Sequence, residues 1–214
     1  MRLNWQIKLN LKNSYFLMDE LKNLFSQQGK LSKILTDYST REGQTEMALE
    51  ISSAIQERTN LIIEAGTGIG KTFAYLAPVL MNGKKTIIST GTKTLQDQLY
   101  HRDLPLLANV LGRPISTSLL KGRSNYLCLH RLEDAHSNDK TIINDLRIIN
   151  EWKSQTDTGD LSELIGISEN SGVWSLVTCT NDNCPDPSYD KCYFFKARKL
   201  AQNSDLSVIN HHLL

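Results

Sequence analysis

Three glycines at alternate positions, Gly66, Gly68 and Gly70, run directly into Lys71-Thr72, and this octet, 65–72, constrains the chain more than any other feature. The apolar run Leu61-Ile62-Ile63-Glu64-Ala65 precedes it and is expected to form a strand; a helix-forming run, about 71–80, follows. Glycine tolerates the positive φ angles of a loop that turns its backbone N–H groups inward, and a helix N-terminus adds partial positive charge at the same place. The spacing fits the Walker A loop, with alanine in its first position, in the strand-then-helix context that loop requires. Ala65, Gly66, Thr67, Gly68, Ile69 and Gly70 are therefore expected to cradle the phosphates of a nucleoside triphosphate. Lys71 is expected to reach the β- and γ-phosphates and the Thr72 hydroxyl to ligate Mg2+. The loop fixes a ligand but not a reaction, because ATPases, GTPases and kinases all use it. An acidic Mg2+ ligand at the end of a later strand is not evident: Asp97, Asp103 and Asp205 lack that context, and Glu64 lies too close to the loop.

Around the loop the pattern alternates. A helix after Arg41 carries Met47, Ile51 and Ile55, a second strand holds Thr86-Ile87-Ile88, and another helix begins near Leu95. Strand, loop, helix, strand, helix is the rhythm of a parallel α/β sheet. Upstream, Trp5, Ile7, Leu9 and Leu11 alternate with polar residues as a half-buried strand would. Met18 opens a helix with Leu21, Leu24 and Phe25 on one face and Asp19 and Glu20 in its first turn. Residues 1–17 are set apart as an N-terminal extension, with Met18 an alternative start. After Leu120 the rhythm breaks into helical stretches at 127–134 and 142–152, a polar run, and turns bearing cysteines, Pro185 and Pro187. Leu206-Ser207-Val208-Ile209 restores a strand pattern. The expected organisation is the first part of an α/β domain over 18–119, an insertion over 120–202, and a return to the first domain over 203–214.

Four residues separate Cys179 from Cys184, seven separate Cys184 from Cys192, and Cys128 stands well upstream. In a reducing compartment disulfides are disfavoured. Four thiolates brought to one place hold zinc or an iron–sulfur cluster. Structural zinc sites favour tight pairs, whereas this set has one looser pair and a distant partner. On spacing alone, iron–sulfur, zinc and free core cysteines all stay open.

The chain carries 24 basic and 23 acidic residues, a formal net charge of +1 that neither demands nor excludes a nucleic-acid partner. No apolar run approaches the roughly 18 residues of a membrane span, and no secretory signal is evident, so a cytoplasmic location is the default.

Residues 41–44, the glycine loop, residues 89–99, Lys121-Gly122-Arg123-Ser124-Asn125-Tyr126-Leu127-Cys128, the three later cysteines and Val208-Ile209-Asn210-His211-His212-Leu213-Leu214 occur in a familiar order. Over about residues 18–214 the chain resembles the DinG/YoaA branch of the XPD-like, superfamily 2 DNA helicases, with YoaA-type bacterial proteins the nearer match. The resemblance implies a P-loop RecA-like parallel-sheet domain, interrupted by a mostly helical iron–sulfur cluster domain. It also implies an ATP-dependent 5′-to-3′ DNA helicase acting on single-stranded and tailed duplex DNA, with a replication or repair protein as a partner. Gln44 matches the adenine-reading glutamine, with Arg41 beside it; a carboxamide both donates and accepts, as an adenine edge requires. Thr90, Thr92, Lys93, Thr94 and Gln96 fall in the segment that faces single-stranded DNA. Cys128, Cys179, Cys184 and Cys192 match the ligands of a [4Fe-4S] cluster. Lys121, Arg123 and Tyr126, and downstream Tyr193, Phe194, Phe195, Lys196, Arg198 and Lys199, interleave basic and aromatic groups as a strand-tracking surface would. Core packing of Phe194 and Phe195 is the competing reading.

Full-length relatives of that branch continue beyond the Asn-His-His-Leu-Leu segment into an acidic DEAH-type box, an arch domain and a second RecA-like domain that closes over ATP. The chain is accordingly expected to be the N-terminal part of such an enzyme, binding nucleotide weakly and not unwinding DNA alone, because hydrolysis needs charge stabilisation from both sides of the cleft. The alternatives are another P-loop ATPase or kinase with a cysteine-stapled insertion, and a nucleotide-sensing DNA-binding module.

Overall fold

The computed structural model describes residues 15–180, 183–184 and 191–213. The alternating segment from Trp5 to Leu11 lies outside the described residues. The chain divides into two compact units.

The first unit, 15–86 with 97–116, is helical. Helix α1 (15–25) buries Leu21, Leu24 and Phe25, the face its apolar spacing selects. It already runs from residue 15, so Asp19 and Glu20 sit beyond its first described turn. Next come α2 (Lys30–Ile34), α3 (Glu42–Glu57) and α4 (Lys71–Asn82). Helix α3 packs on α4, and the side it buries is Gln44, Ala48 and Ser52, a stripe of small and polar residues. Its apolar stripe, Met47, Ile51 and Ile55, lines an open hollow of about 330 Å3 together with Leu61 and Ile63. Helix α4 buries Ala74, Leu76, Ala77 and Leu80, and it tolerates Pro78 near its end, where Asn82 Nδ2 bonds the Pro78 carbonyl at 2.7 Å. A helix α5 (Lys93–Gln98) passes through a π-helical turn (Leu99–Asp103) into α6 (Leu104–Leu111), which packs on α2 and α4 and stops at Gly112 with φ +65°.

Residues 61–65 correct the sequence reading: they are not a strand. A strand exists through ladder bonds to a neighbour, and no described strand pairs with this run. Ile62 is 98% exposed as a result.

The second unit, 87–96 with 117–214, contains the sheet. Strands β1 (Thr86–Thr90), β2 (Thr117–Leu120) and β3 (Leu206–Asn210) lie in the order β1-β3-β2. Strands β2 and β3 are parallel, with Thr117 opposite Leu206 and Leu120 opposite Ile209. The sequence pattern did not mark β2, and the reason is physical. Its inward residue Ser118 is fully buried and donates to Ser207 Oγ on β3 at 2.9 Å, so a polar pair takes the place of an apolar signature.

Helices α7 (Leu129–Asp134), α8 (Lys140–Lys153), α9 (Val173–Val177) and α10 (Tyr193–Asn203) follow β2, and α10 packs on β2. They share a core of Tyr126, Leu127, Leu132, Ile149, Val173, Val177 and Tyr193, with Trp152, Trp174 and Phe194 packed against it. Asp139 caps α8 by accepting from the Thr141 backbone N–H at 2.7 Å. The mixed α/β class, the parallel pairing and the mostly helical stretch between β2 and β3 agree with expectation.

Candidate functional site

The phosphate loop lies between residue 65 and the first turn of α4. Gly68 and Gly70 both have φ +81°, left-handed conformations that glycine adopts without steric cost. Gly70 immediately precedes α4, whose first turn holds no acidic residue to compete for an anion. Lys71 Nζ donates to the carbonyls of Ala65 at 3.0 Å and Gly66 at 2.7 Å, so the lysine bridges the mouth of its own loop.

Gln44 meets this loop from α3. Its Nε2 donates to the Gly70 carbonyl at 2.9 Å. The side chain is nearly fully buried, and its Oε1 has no hydrogen-bond partner. Arg41 sits at the N-cap of α3, and a Cβ added at Gly70 would lie 3.4 Å from its Nη1. The structure thus groups Arg41, Gln44 and the 65–72 loop, the residues that the family resemblance put together. Tyr75, one helical turn beyond Thr72, has its hydroxyl pushed up to about 12, first by burial; a Thr72 hydrogen bond opposes the shift and the Asp103 charge adds to it.

The expected DNA-facing segment is only partly exposed. Lys93 and Thr94 are exposed, and Thr92 Oγ1 accepts from the Leu95 N–H at 3.2 Å as a helix cap. Thr90 is buried and donates to the Thr92 carbonyl. Gln96 is fully buried; its Nε2 donates to the carbonyls of Leu120 at 2.9 Å and Val208 at 3.3 Å, tying the ends of β2 and β3 together. Gln96 and Thr90 are therefore corrected from ligand-facing to structural positions.

Lys121 is also buried: Nζ is 2.8 Å from Asp160 Oδ2 and donates to Ser162 Oγ at 2.9 Å. A paired interior lysine is not a strand-tracking cation. Asp160 gave no signal of this in the sequence, because it stands in an ordinary polar run. Tyr126 is buried and its hydroxyl accepts from the Lys121 N–H, which leaves it no stacking face. Lys196, Arg198 and Lys199 do remain on the surface. His211 shares a hydrogen bond with Ser89 and anchors the end of β3 to β1.

The described cysteines are all free thiols. Cys179 is buried and pushed up to about 12 by that burial, with further upward shifts from the neighbouring Cys128, to which it is hydrogen-bonded, and from Cys184; Arg123 opposes them. Arg123 Nη1 donates to Cys184 Sγ at 3.1 Å. Cys192 is the N-cap residue of α10. Cys128 and Cys184 thus each lie near Cys179, and thiols are soft donors suited to iron or zinc. Among the described residues no group of three or more His, Cys, Asp or Glu side chains stands in metal-holding geometry.

A glycine loop closed by Lys71 and contacted by Gln44 from the preceding helix is a candidate nucleotide site, and comparison with known proteins gives its class. The DEAD/DEAH box helicase family matches residues 41–162, and the chain belongs to it. ATP and Mg2+ are the ligands expected of that family. Within it the chain is similar to the ATP-dependent DNA helicase YoaA of Haemophilus influenzae, at 46% identity over 91% of this chain and 32% of the relative. YoaA of Escherichia coli is 47% identical over 88% of this chain and 31% of the relative. A Bacillus subtilis protein named 3′-5′ exonuclease DinG is 33% identical over 86% of this chain and 21% of the relative. The chain therefore spans about a third or less of the length of these curated relatives. Among the described residues no helix is long and apolar enough to cross a membrane.

Proposed function

We propose that this chain is the N-terminal, ATP-binding part of a cytoplasmic, ATP-dependent 5′-to-3′ DNA helicase of the DinG/YoaA type, acting on single-stranded and tailed duplex DNA with a replication or repair protein as partner. The observation that carries the reading is the Gln44–Gly70 bond. That bond holds the Gln44 carboxamide against the glycine loop, which supports a reading in which one site addresses both base and phosphates. Lys71 exchanges its loop carbonyls for the β- and γ-phosphates, and Thr72 holds Mg2+. The organisation proposed is a RecA-like domain, 18–119 and 203–214, with an inserted cluster domain over 120–202.

In that insertion Cys128, Cys179, Cys184 and Cys192 would hold a [4Fe-4S] cluster, and the closeness of Cys128 and of Cys184 to Cys179 supports the assignment. Bound there, the cluster supplies a covalent clasp between the segment before α7, the cysteine turns and the start of α10. Burial and its thiol neighbours push the Cys179 thiol up, so a metal bound there would have to displace its proton.

The test is anaerobic purification followed by iron and acid-labile sulfide analysis, with binding of labelled oligo-dT measured on the same sample. About four iron and four sulfide per chain, lost together on Cys179→Ser, support the reading. Stoichiometric zinc in a folded, DNA-silent protein favours a different P-loop enzyme.

A further inference from the structure

Arg123 opens the short 3-10 turn (Arg123–Asn125) that follows β2, and its carbonyl accepts from the Tyr126 N–H at 3.1 Å. From this fixed backbone the guanidinium reaches the cysteine turns, where Nη1 donates to Cys184 Sγ at 3.1 Å. The same guanidinium lies 4.4 Å from the centre of the Phe194 ring, over its face. Phe194 in turn meets Tyr126 edge to face, with ring centres 5.8 Å apart, and packs against the buried core of the helical stretch. Arg123 precedes Cys128 by five residues, and Phe194 follows Cys192 by two. One side chain therefore links the segment before Cys128, the Cys184 turn and the start of α10.

A guanidinium stacked on an aromatic ring keeps its planar fork in one orientation, which the flexible ammonium of lysine cannot do. It also stays protonated at every working pH, so the bond to sulfur is not lost by titration. An N–H that donates to a metal-bound thiolate draws charge from the sulfur, and the bond strengthens as the metal centre gains an electron. Arg123 is half-buried, with one face on Phe194 and an N–H on Cys184, so its contacts turn inward.

We propose that Arg123 is a positioning residue for the metal centre of the cysteines: it fixes Cys184 and, through that sulfur, raises the reduction potential of the bound cluster. The role rests on the cluster reading above and adds to it the residue that controls the centre. One-electron reduction places an electron on the cluster, and no bond to Arg123 forms or breaks.

The test uses the full chain purified anaerobically, with circular dichroism and iron content for each variant, and a potentiometric titration with dithionite as reductant followed in the visible band. Arg123→Met, which keeps the length of the stem, is expected to weaken reduction about tenfold, a fall of about 59 mV for one electron. Arg123→Lys, which keeps the charge and a donor but not the flat fork, should recover part of that loss. Arg147→Met, which removes the same charge from the exposed surface of α8, should match wild type. A folded Arg123→Met chain with wild-type iron, reduced within about twofold of wild type, overturns the positioning role and leaves the cluster reading intact. Wild-type protein without iron overturns that reading and the role with it. An equal fall in Arg147→Met makes the effect one of net charge and overturns the role as well. Should Arg123→Met fail to fold, Arg123→Lys decides, and a wild-type potential in that variant overturns the role.

Discussion

Gln44 Nε2 donates to the Gly70 carbonyl at 2.9 Å, while Gln44 Oε1, on the same buried carboxamide, has no partner. The donor is committed to the loop and the acceptor is left over. In the proposed adenine-reading role, adenine would present an N–H2 donor to that acceptor, whereas guanine would present an oxygen at the corresponding position, and two acceptors repel. Gln44→Ala should therefore lose about 1 kcal/mol of ATP affinity, roughly fivefold, and remove most of the preference for ATP over GTP. Competition of the two nucleotides against a fluorescent ATP analogue reads both effects.

Gly70 and Gly68 share φ +81° but differ in surroundings. A Cβ on Gly70 runs into the Gln44 side chain, whereas one on Gly68 meets nothing within 4 Å. Gly68→Ala should cost only the left-handed backbone penalty, about 1–2 kcal/mol. Gly70→Ala should cost that and also displace Gln44, reducing ATP selectivity as Gln44→Ala does. Thermal melting together with the ATP-to-GTP ratio separates the two variants.

Gln96 holds the Leu120 and Val208 carbonyls from a fully buried position. Gln96→Ala strands two carbonyls and opens a void, a combination expected to cost about 2–4 kcal/mol. Gln96→Glu should cost at least as much, because a carboxylate cannot donate to either carbonyl. Urea unfolding midpoints check both, and a Gln96→Ala variant as stable as wild type would remove the residue from its structural role.

Tyr75 gives a pH dependence of known sign. Burial pushes its hydroxyl up to about 12 from 10.0, so the native state keeps a proton that the unfolded chain has already released. The resulting stability is fully present below about pH 10 and is lost as pH rises through about 12. Tyr75→Phe should show a shallower loss of denaturant stability across that window than wild type.

The phosphate loop was legible in the sequence because its requirement is local: glycine at positive φ, then lysine and hydroxyl at a helix start. Helices α1 and α3 were legible from their apolar residues and α4 from its place after the glycine loop, although α3 buries its polar stripe and leaves Met47 and Ile51 at a hollow. What depends on distant partners was not legible. Residues 61–65 are apolar enough for a strand but lack a described neighbour to pair with, and β2 hides behind the Ser118–Ser207 bond. The family resemblance puts Gln96 in the DNA-facing segment, and Lys121 stands among the interleaved basic and aromatic residues around the cysteines. Their bonds to Val208 and Asp160, far along the chain, assign them to the interior.

The central claim is a nucleotide site that grips phosphates through Lys71, and isothermal titration of Mg-ATP into wild-type and Lys71→Ala protein tests it most directly. Wild type should bind at a single site, and Lys71→Ala, equally folded, should bind at least about tenfold more weakly, because a charge-assisted phosphate contact contributes about 1.5–3 kcal/mol. Equal binding by the two proteins, or none by a folded wild type, would contradict the account.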